Sequence, residues 1–274
     1  MKSKGRGDIF SMVEENLPPE CRIAIGMSDP RIIQELTEVE RFADLLIVSG
    51  AEIESDAGFE IMISDEPERE LVDLLMRGEV DGAVRGTLPA SKTLLYLRKV
   101  SGIDNLARVA LLKPKDADPF LFAPVGIDEG DGFDARLRLI ENGIWMLESL
   151  GLDVRVGILS GGRIGDMGRS PRVDESLREG DLLIGAVADM GYQAVHHEIL
   201  IEDAVRDSNL IIAPDGISGN LIFRTLTFLG EGVAWGAAVH YDLGKVFVDT
   251  SRAGGSYSGA VKLAAALSTI IGGS

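Results

Sequence analysis

An α/β fold with a mostly parallel sheet is predicted by short apolar runs that alternate with amphipathic segments almost from end to end. Runs such as RIAIGM, DLLIVSG and LIIAP have the length and near-continuous apolarity of strands buried on both faces. The segment DARLRLIENGIWMLESLG instead places Leu137, Ile140, Ile144, Leu147 and Leu150 at helical spacing. Glycine-rich turns repeatedly separate the two kinds of segment.

In chain order, Arg22–Met27 and Asp44–Gly50 read as buried strands with a helix, DPRIIQELTEVERF, between them. Pro30 stands at a helix-start position behind Asp29, which suits an N-cap. ERELVDLLMRG is a second helix, stopped by Gly78, and VDGAVRG is a strand that feeds a loop. PASKTLLYLRKV is helical, and RVALLK and FLFAPVG are strands. After the long helix come strand VRVGILS, strand DLLIGAVA, helix EILIEDAV, strand LIIAP and helix GNLIFRTLTFLG. Strands GVAWGAAV and GKVFVDTS and a final helix, YSGAVKLAAALSTIIG, complete the series. KPKDADPF has the Pro and Asp content of a linker between domains.

The 274 residues are 45% hydrophobic, enough to bury a large core in one or two domains. A formal net charge of −17, from 27 basic and 44 acidic residues, comes with no basic stripe, so nucleic acid is not an expected partner. Cys21 is the only cysteine, which excludes an intramolecular disulfide and a cysteine metal cluster and fits a buried, inert thiol. No apolar run is long enough for a bilayer, and no apolar run follows the basic start MKSKGRGDIF. These features predict a cytoplasmic protein that neither enters nor spans a membrane.

If the strands are parallel, their carboxyl-end loops gather on one edge of the sheet. Four such loops have unusual composition. DGAVRGTLPASKTL brings Arg85, Gly86 and Thr87; ILSGGRIGDMGRSPRVDE brings Ser160, Gly161, Gly162, Arg163, Gly165 and Arg169. PDGISGN brings Asp215, Gly219 and Asn220, and DTSRAGGSYSGA brings Ser251 and Arg252 beside three glycines. Glycine lets backbone N–H groups approach a ligand, and arginine offers a planar fork for phosphate or carboxylate. Together the loops predict a cleft for a small anionic metabolite.

Named motifs are missing. No GK[ST] closes a glycine loop, the glycines after VRVGILS do not fall as G-x-G-x-x-G, and RSPRV delays the helix that should follow. His196 and His197 are adjacent and should point apart, and His240 stands alone, so no metal site is expected.

The loops, taken in order, resemble those of the phosphate acetyl/butyryltransferase family. PDGISGNLIFRTLTFLG resembles its P-D/N-x-x-x-G-N segment, SRAGG its SRG segment and DGAVRGTLPASKTL its DG-x-V-x-G segment. RIAIGMSDPRIIQEL resembles its first strand and turn, and DARLRLIENGIWMLESLGLDVRVGILS its helix leading into V-A-x-L-S. The resemblance covers nearly the whole chain. It implies a two-domain isocitrate/isopropylmalate dehydrogenase-like fold with an interdomain cleft, residues 1–118 plus 250–274 forming one domain and 119–249 the other. It also implies a homodimer, no tightly bound cofactor and no metal, with coenzyme A and phosphate as substrates. The family's catalytic Ser and Arg fall on Ser251 and Arg252, with Arg252 neutralising phosphate and Ser251 stabilising the oxyanion. The substrate-binding set implied or read from the loops is Arg85, Gly86, Thr87, Ser160, Gly161, Gly162, Arg163, Asp215, Gly219 and Asn220.

The departures are specific. Ser258 stands where the transferases carry an Asp that serves as base toward the thiol of coenzyme A, and serine is a poor base near neutral pH. Phe223 and Arg224 replace the family's Tyr–Lys pair. With GAVADMGYQAV and the amino-terminal extension, these departures resemble the archaeal methanogenesis marker protein 4, or methyltransferase-related MtxX, group. That resemblance implies altered or reduced acyl transfer, or a non-catalytic role beside methyltransferase subunits. A phosphate:acyl-carrier acyltransferase of the same fold is the remaining alternative.

Overall fold

The computed structural model describes residues 8–53, 58–240, 243–251 and 255–271. In chain order the strands are β1 (Arg22–Met27), β2 (Asp44–Ser49), β3 (Glu60–Ile63), β4 (Gly82–Val84), β5 (Val109–Lys113), β6 (Phe120–Ala123), β7 (Arg155–Leu159), β8 (Gln193–Glu198), β9 (Leu210–Ile212), β10 (Val233–Val239) and β11 (Val246–Asp249). The helices are α1 (Ile9–Glu15), α2 (Ile33–Leu36), α3 (Pro67–Arg77), α4 (Ala90–Ser101), α5 (Gly132–Ser149), α6 (Pro171–Asp189), α7 (Ile201–Asp207), α8 (Gly216–Arg224) and α9 (Tyr257–Ile271). The chain divides into two units, one made of residues 10–106 with 234–274 and the other of residues 107–233 with the first nine.

In the first of these, β3, β2, β1, β4 and β11 lie side by side as parallel strands, and β10 pairs antiparallel with β11. A parallel sheet needs cover on both faces. Leu71, Val72, Leu74 and Leu75 of α3 and Leu97 of α4 are buried in one apolar cluster with Leu46, Val48 and Ala83. The α9 helix packs on β1, β4 and β11 and buries Ala260, Val261, Leu263, Ala264 and Leu267. Small residues on α9 let it approach closely: a Cβ on Gly82 would lie 3.5 Å from Ala264. Asp29 caps the 3-10 turn at Pro30 by accepting from the Arg31 N–H, as the sequence predicts.

In the second unit the order is β5, β6, β9, β7, β8, with β6, β9, β7 and β8 parallel and β5 antiparallel to β6. The long helix predicted from Leu137 to Leu150 is α5, and its Leu139, Ile140, Ile144 and Leu147 are buried.

One predicted strand is a helix. DLLIGAVA forms the second half of α6, which begins at Ser170 and Pro171 and buries Leu177, Gly180, Leu183 and Val187 at intervals of three and four. A short apolar run carries no periodicity of its own. The strand at this point is instead QAVHHE, an edge strand whose polar character hides it. Leu183→Ala should therefore lower stability by about 2–5 kcal/mol, while Leu182→Ala, at a position 61% exposed, should stay within about 0.5 kcal/mol. Urea midpoints of the two variants check this, and equal losses would contradict the helix.

Candidate functional site

In the unit containing α9, the parallel strands β1, β4 and β11 end together, and the loops leaving them are tied to one another. The Arg85 N–H donates to the Val248 carbonyl at 2.9 Å. Its guanidinium donates to Asp249 Oδ1 and, at 2.5 Å, to the Leu88 carbonyl, and the side chain is only 3% exposed. The Thr250 hydroxyl donates to the Gly86 carbonyl at 2.7 Å. Thr87 Oγ1 accepts the N–H groups of Ser28 and Asp29 at 2.8 and 3.0 Å. Gly86 has φ of 59°, and a Cβ there would lie 2.0 Å from the Gly26 carbonyl oxygen. No other residue fits that crossing without moving β1.

The predicted residues Arg85, Gly86 and Thr87 thus meet the end of β11 at Val248, Asp249 and Thr250. Arg85 is engaged internally, so its guanidinium fixes the loop rather than facing outward. Ser251 is half-buried and its carbonyl accepts from the Tyr257 hydroxyl at 3.1 Å. Arg252 lies outside the described residues.

Beyond Ser251 the chain enters α9 beside a recess of about 290 Å³. Ser256, Ser258, Lys262 and Trp235 line it together with Glu35 from α2. The Ser258 N–H donates to Glu35 Oε1 at 3.2 Å, and the Gly259 N–H to Ser256 Oγ at 2.9 Å. Lys262 Nζ lies 5.6 Å from the Trp235 ring centroid and pairs with Glu14. Trp235 in turn stacks on Phe10 with centroids 4.0 Å apart. Glu35 carries no sequence signal, because it sits among other charged residues of an amphipathic segment.

In the other unit, the ends of β6, β9 and β7 carry the remaining predicted residues. Asp215 caps α8, accepting from the Ser218 N–H at 2.7 Å, and pairs with Arg172 at 3.0 Å. Burial pushes its carboxyl up, but the Ser218 and Arg172 bonds outweigh it and hold it below the usual carboxylate range. Gly219 and Asn220 pack against the loop after β6. A Cβ on Gly219 would lie 2.0 Å from the Pro124 carbonyl oxygen, and Asn220 Nδ2 donates to the Val125 carbonyl at 2.7 Å. The conspicuous glycines and Asn of PDGISGN therefore seat a helix start on a neighbouring loop. That loop is itself anchored by a buried ion pair, Arg108 Nε to Glu129 Oε1 at 2.6 Å.

Within the loop after β7, Gly161 and Arg163 are exposed while Ser160 and Gly162 are buried. Beneath it lies Arg136 of α5, completely buried, which donates to the Leu159 carbonyl at 3.0 Å and faces Glu179 at 3.5 Å. Burial pulls the Arg136 pKa below its ordinary value. Nothing in the sequence marks this arginine as internal.

Ser160, His196 and Asp181 form a chain: Ser160 Oγ is 2.6 Å from His196 Nε2, and His196 Nδ1 is 2.8 Å from Asp181 Oδ1. The geometry resembles a nucleophile, base and orienting acid. However, Ser160 is only 2% exposed, and its own N–H and that of Gly161 are taken by the Glu198 carbonyl and Ser176 Oγ. With the hydroxyl enclosed and these two amides occupied, the chain holds α6 to the sheet. His197 points the opposite way, toward Ser208.

No protein-family model matches the chain. Its fold is that of the phosphotransacetylase-like α/β proteins: a branched-chain phosphotransacylase from Enterococcus faecalis superposes with a TM-score of 0.72 at 17% identity, over 91% of this chain and 99% of the other. A phosphotransacetylase from Staphylococcus aureus gives 0.69 at 14% identity, over 95% and 98%. The family itself is narrower. The "Putative methyltransferase mtx subunit X" of Methanosarcina mazei is 46% identical over 255 residues, 90% of each chain. An uncharacterized methyltransferase of Methanopyrus kandleri is 32% identical over 253 residues, 90% of this chain and 98% of the relative. The chain belongs to this archaeal family of mtx subunit X proteins. Among the described residues no helix is long and apolar enough to cross a membrane.

His240 ends β10 and is buried, with its imidazole pushed down to about 3 by desolvation. The folded chain keeps it neutral where the unfolded chain, at an ordinary value of about 6.5, takes up a proton. Its contribution is complete above that value and declines as pH falls toward 3, by at most about 1.4 kcal/mol per pH unit. Between pH 7 and pH 5, wild type should lose about 2 kcal/mol more than His240→Gln in urea unfolding. Identical losses would show that His240 titrates alike in both states.

Proposed function

We propose that this protein binds phosphate or an acyl phosphate at the loop joining β11 to α9, and that it descends from phosphate acyltransferases using coenzyme A as acyl acceptor. The supporting observation is the recess at the start of α9, which gathers the Ser256 and Ser258 hydroxyls and Lys262 directly after Ser251. A phosphate there gains charge-assisted hydrogen bonds, worth about 1.5–3 kcal/mol each, from such donors and from Arg252. Ser251 stabilises the oxyanion that develops as the acyl carbon is attacked. Gly86 and Thr87 brace the strand ends from which the β11–α9 loop leaves. Arg85 holds those strand ends in place, and Ser160, Gly161, Gly162, Arg163, Asp215, Gly219 and Asn220 form a loop set within the other unit. Because α9 offers Ser258 rather than a carboxylate, turnover is slower than in transferases that carry an Asp at this position. A methanogenesis-linked role is supported by the relatives' sources, Methanosarcina and Methanopyrus.

A second reading, a non-catalytic subunit beside a methyltransferase, is favoured by the word "subunit" in the relatives' name and by an exposed apolar strip on α8. Ile217 and Leu221, one turn apart, are 57% and 63% exposed, and Leu229 beyond them is 81% exposed. The resemblance to dimeric transferases makes a second copy of this chain an equally natural cover for that strip.

Calorimetric titration of phosphate and acetyl phosphate, with release of the coenzyme A thiol followed in parallel, tests the first reading. Binding should weaken at least about tenfold in Arg252→Ala, as expected when one charge-assisted pair is lost. Absence of phosphate binding in the wild type would leave the subunit reading standing instead.

A further inference from the structure

We infer that Glu35 is the proton acceptor for the thiol in this site, a carboxylate supplied from α2 in place of one on α9. The inference rests on the acyl phosphate reading above. An acyl transfer to a thiol needs a group that removes the thiol proton, and the described start of α9 supplies only hydroxyls and an amine. Glu35 reaches into that place from outside the helix: its Oε1 accepts the backbone N–H of Ser258 at 3.2 Å, so a carboxylate oxygen already stands beside the residue that would otherwise carry it.

Glu38 lines the same recess, but of the two it is Glu35 that accepts from the Ser258 N–H. The remaining acids nearby are committed. Asp249 is paired with buried Arg85, Asp29 is paired with Arg31, and Glu14 with Lys262. His240, at the end of β10, is enclosed and held neutral by burial. Glu35 is exposed, lines the recess with Trp235, Ser256 and Lys262, and among the described residues has no cation paired with it. One oxygen is steered by the Ser258 amide and the other is available to a ligand.

The step balances as follows. The S–H bond of the thiol breaks and its proton passes to Glu35. The sulfur electron pair forms the S–C bond to the acyl carbon, the C–O bond to phosphate breaks, and phosphate departs with that electron pair. Glu35 then returns the proton to phosphate or water. The reverse direction uses protonated Glu35 as the acid.

The test compares wild type, Glu35→Gln, Ser258→Asp and the double variant with acetyl phosphate and coenzyme A, with thermal melting used to confirm that each folds. Glu35→Gln should lower kcat about 10²–10⁴-fold while the acetyl phosphate KM moves less than about threefold. Ser258→Asp placed in the Glu35→Gln background should restore at least tenfold, because it returns a carboxylate to the same point from the other helix. A purely structural Glu35 predicts no such rescue. Glu35→Gln turning over like wild type, or a folded double variant without recovery, would overturn the assignment. Wild type that binds phosphate but never transfers to the thiol overturns Glu35 as base while sparing the anion site; wild type that binds no phosphate overturns both.

Discussion

The buried pair between Arg85 and Asp249 is the constraint on which the loop edge of the α9 unit depends. It joins the loop after β4 to the last residue of β11, and the Arg85 amide and Thr250 hydroxyl close the same joint from the backbone side. Two charges so enclosed must each have the other: loss of one partner leaves an uncompensated ion and costs about 3–5 kcal/mol. What the pair secures is direction. The chain leaves β11 at Thr250, is held at Ser251 by Tyr257, and is delivered to the amino end of α9. Ser251, Ser256 and Ser258 of the proposed site inherit their positions from that path, and Glu35 meets it from α2.

The other unit solves the same problem with glycine rather than charge. Gly219 admits the Pro124 carbonyl so closely that α8 begins directly on the neighbouring loop, and Asp215 and Asn220 pin that start at both sides. Arg136 and the Ser160–His196–Asp181 chain do comparable work under the loop after β7. These are polar groups that look catalytic in isolation; the burial of Arg136 and Ser160 and their bonds to neighbouring backbone and side chains assign them to the scaffold.

Much of the fold was legible because parallel strands buried on both faces announce themselves as apolar runs, as β1, β2, β7 and β9 do. The long α5 was legible from spacing alone. The failures have physical causes. DLLIGAVA is as apolar as a strand, and only the start at Ser170–Pro171 extends it into a helix. QAVHHE is a strand at a sheet edge, where burial makes no demand for apolar residues. β3 is four residues long and largely exposed. Of the region proposed as the site, the meeting of the Arg85–Thr87 loop with the end of β11 followed from strand order. That the Arg85 side chain turns inward did not, because a sequence shows which loop holds an arginine and not which carboxylate meets it. Glu35 was hidden for the same reason: its meaning lies in a contact across 223 residues.

Fold and family set bounds on function that the site then fills. The α/β architecture is shared with phosphotransacylases, Methanosarcina relatives are named as methyltransferase subunits, and the recess at the start of α9, lined by hydroxyls, Lys262, Glu35 and Glu38, is where the acyl phosphate and thiol are proposed to meet. The most direct test is a crystal structure of the protein with phosphate and coenzyme A together. The account predicts phosphate hydrogen-bonded to Ser251 and the amino end of α9, with the thiol sulfur beside Glu35. Phosphate and coenzyme A bound elsewhere, with this recess occupied by solvent alone, would contradict it.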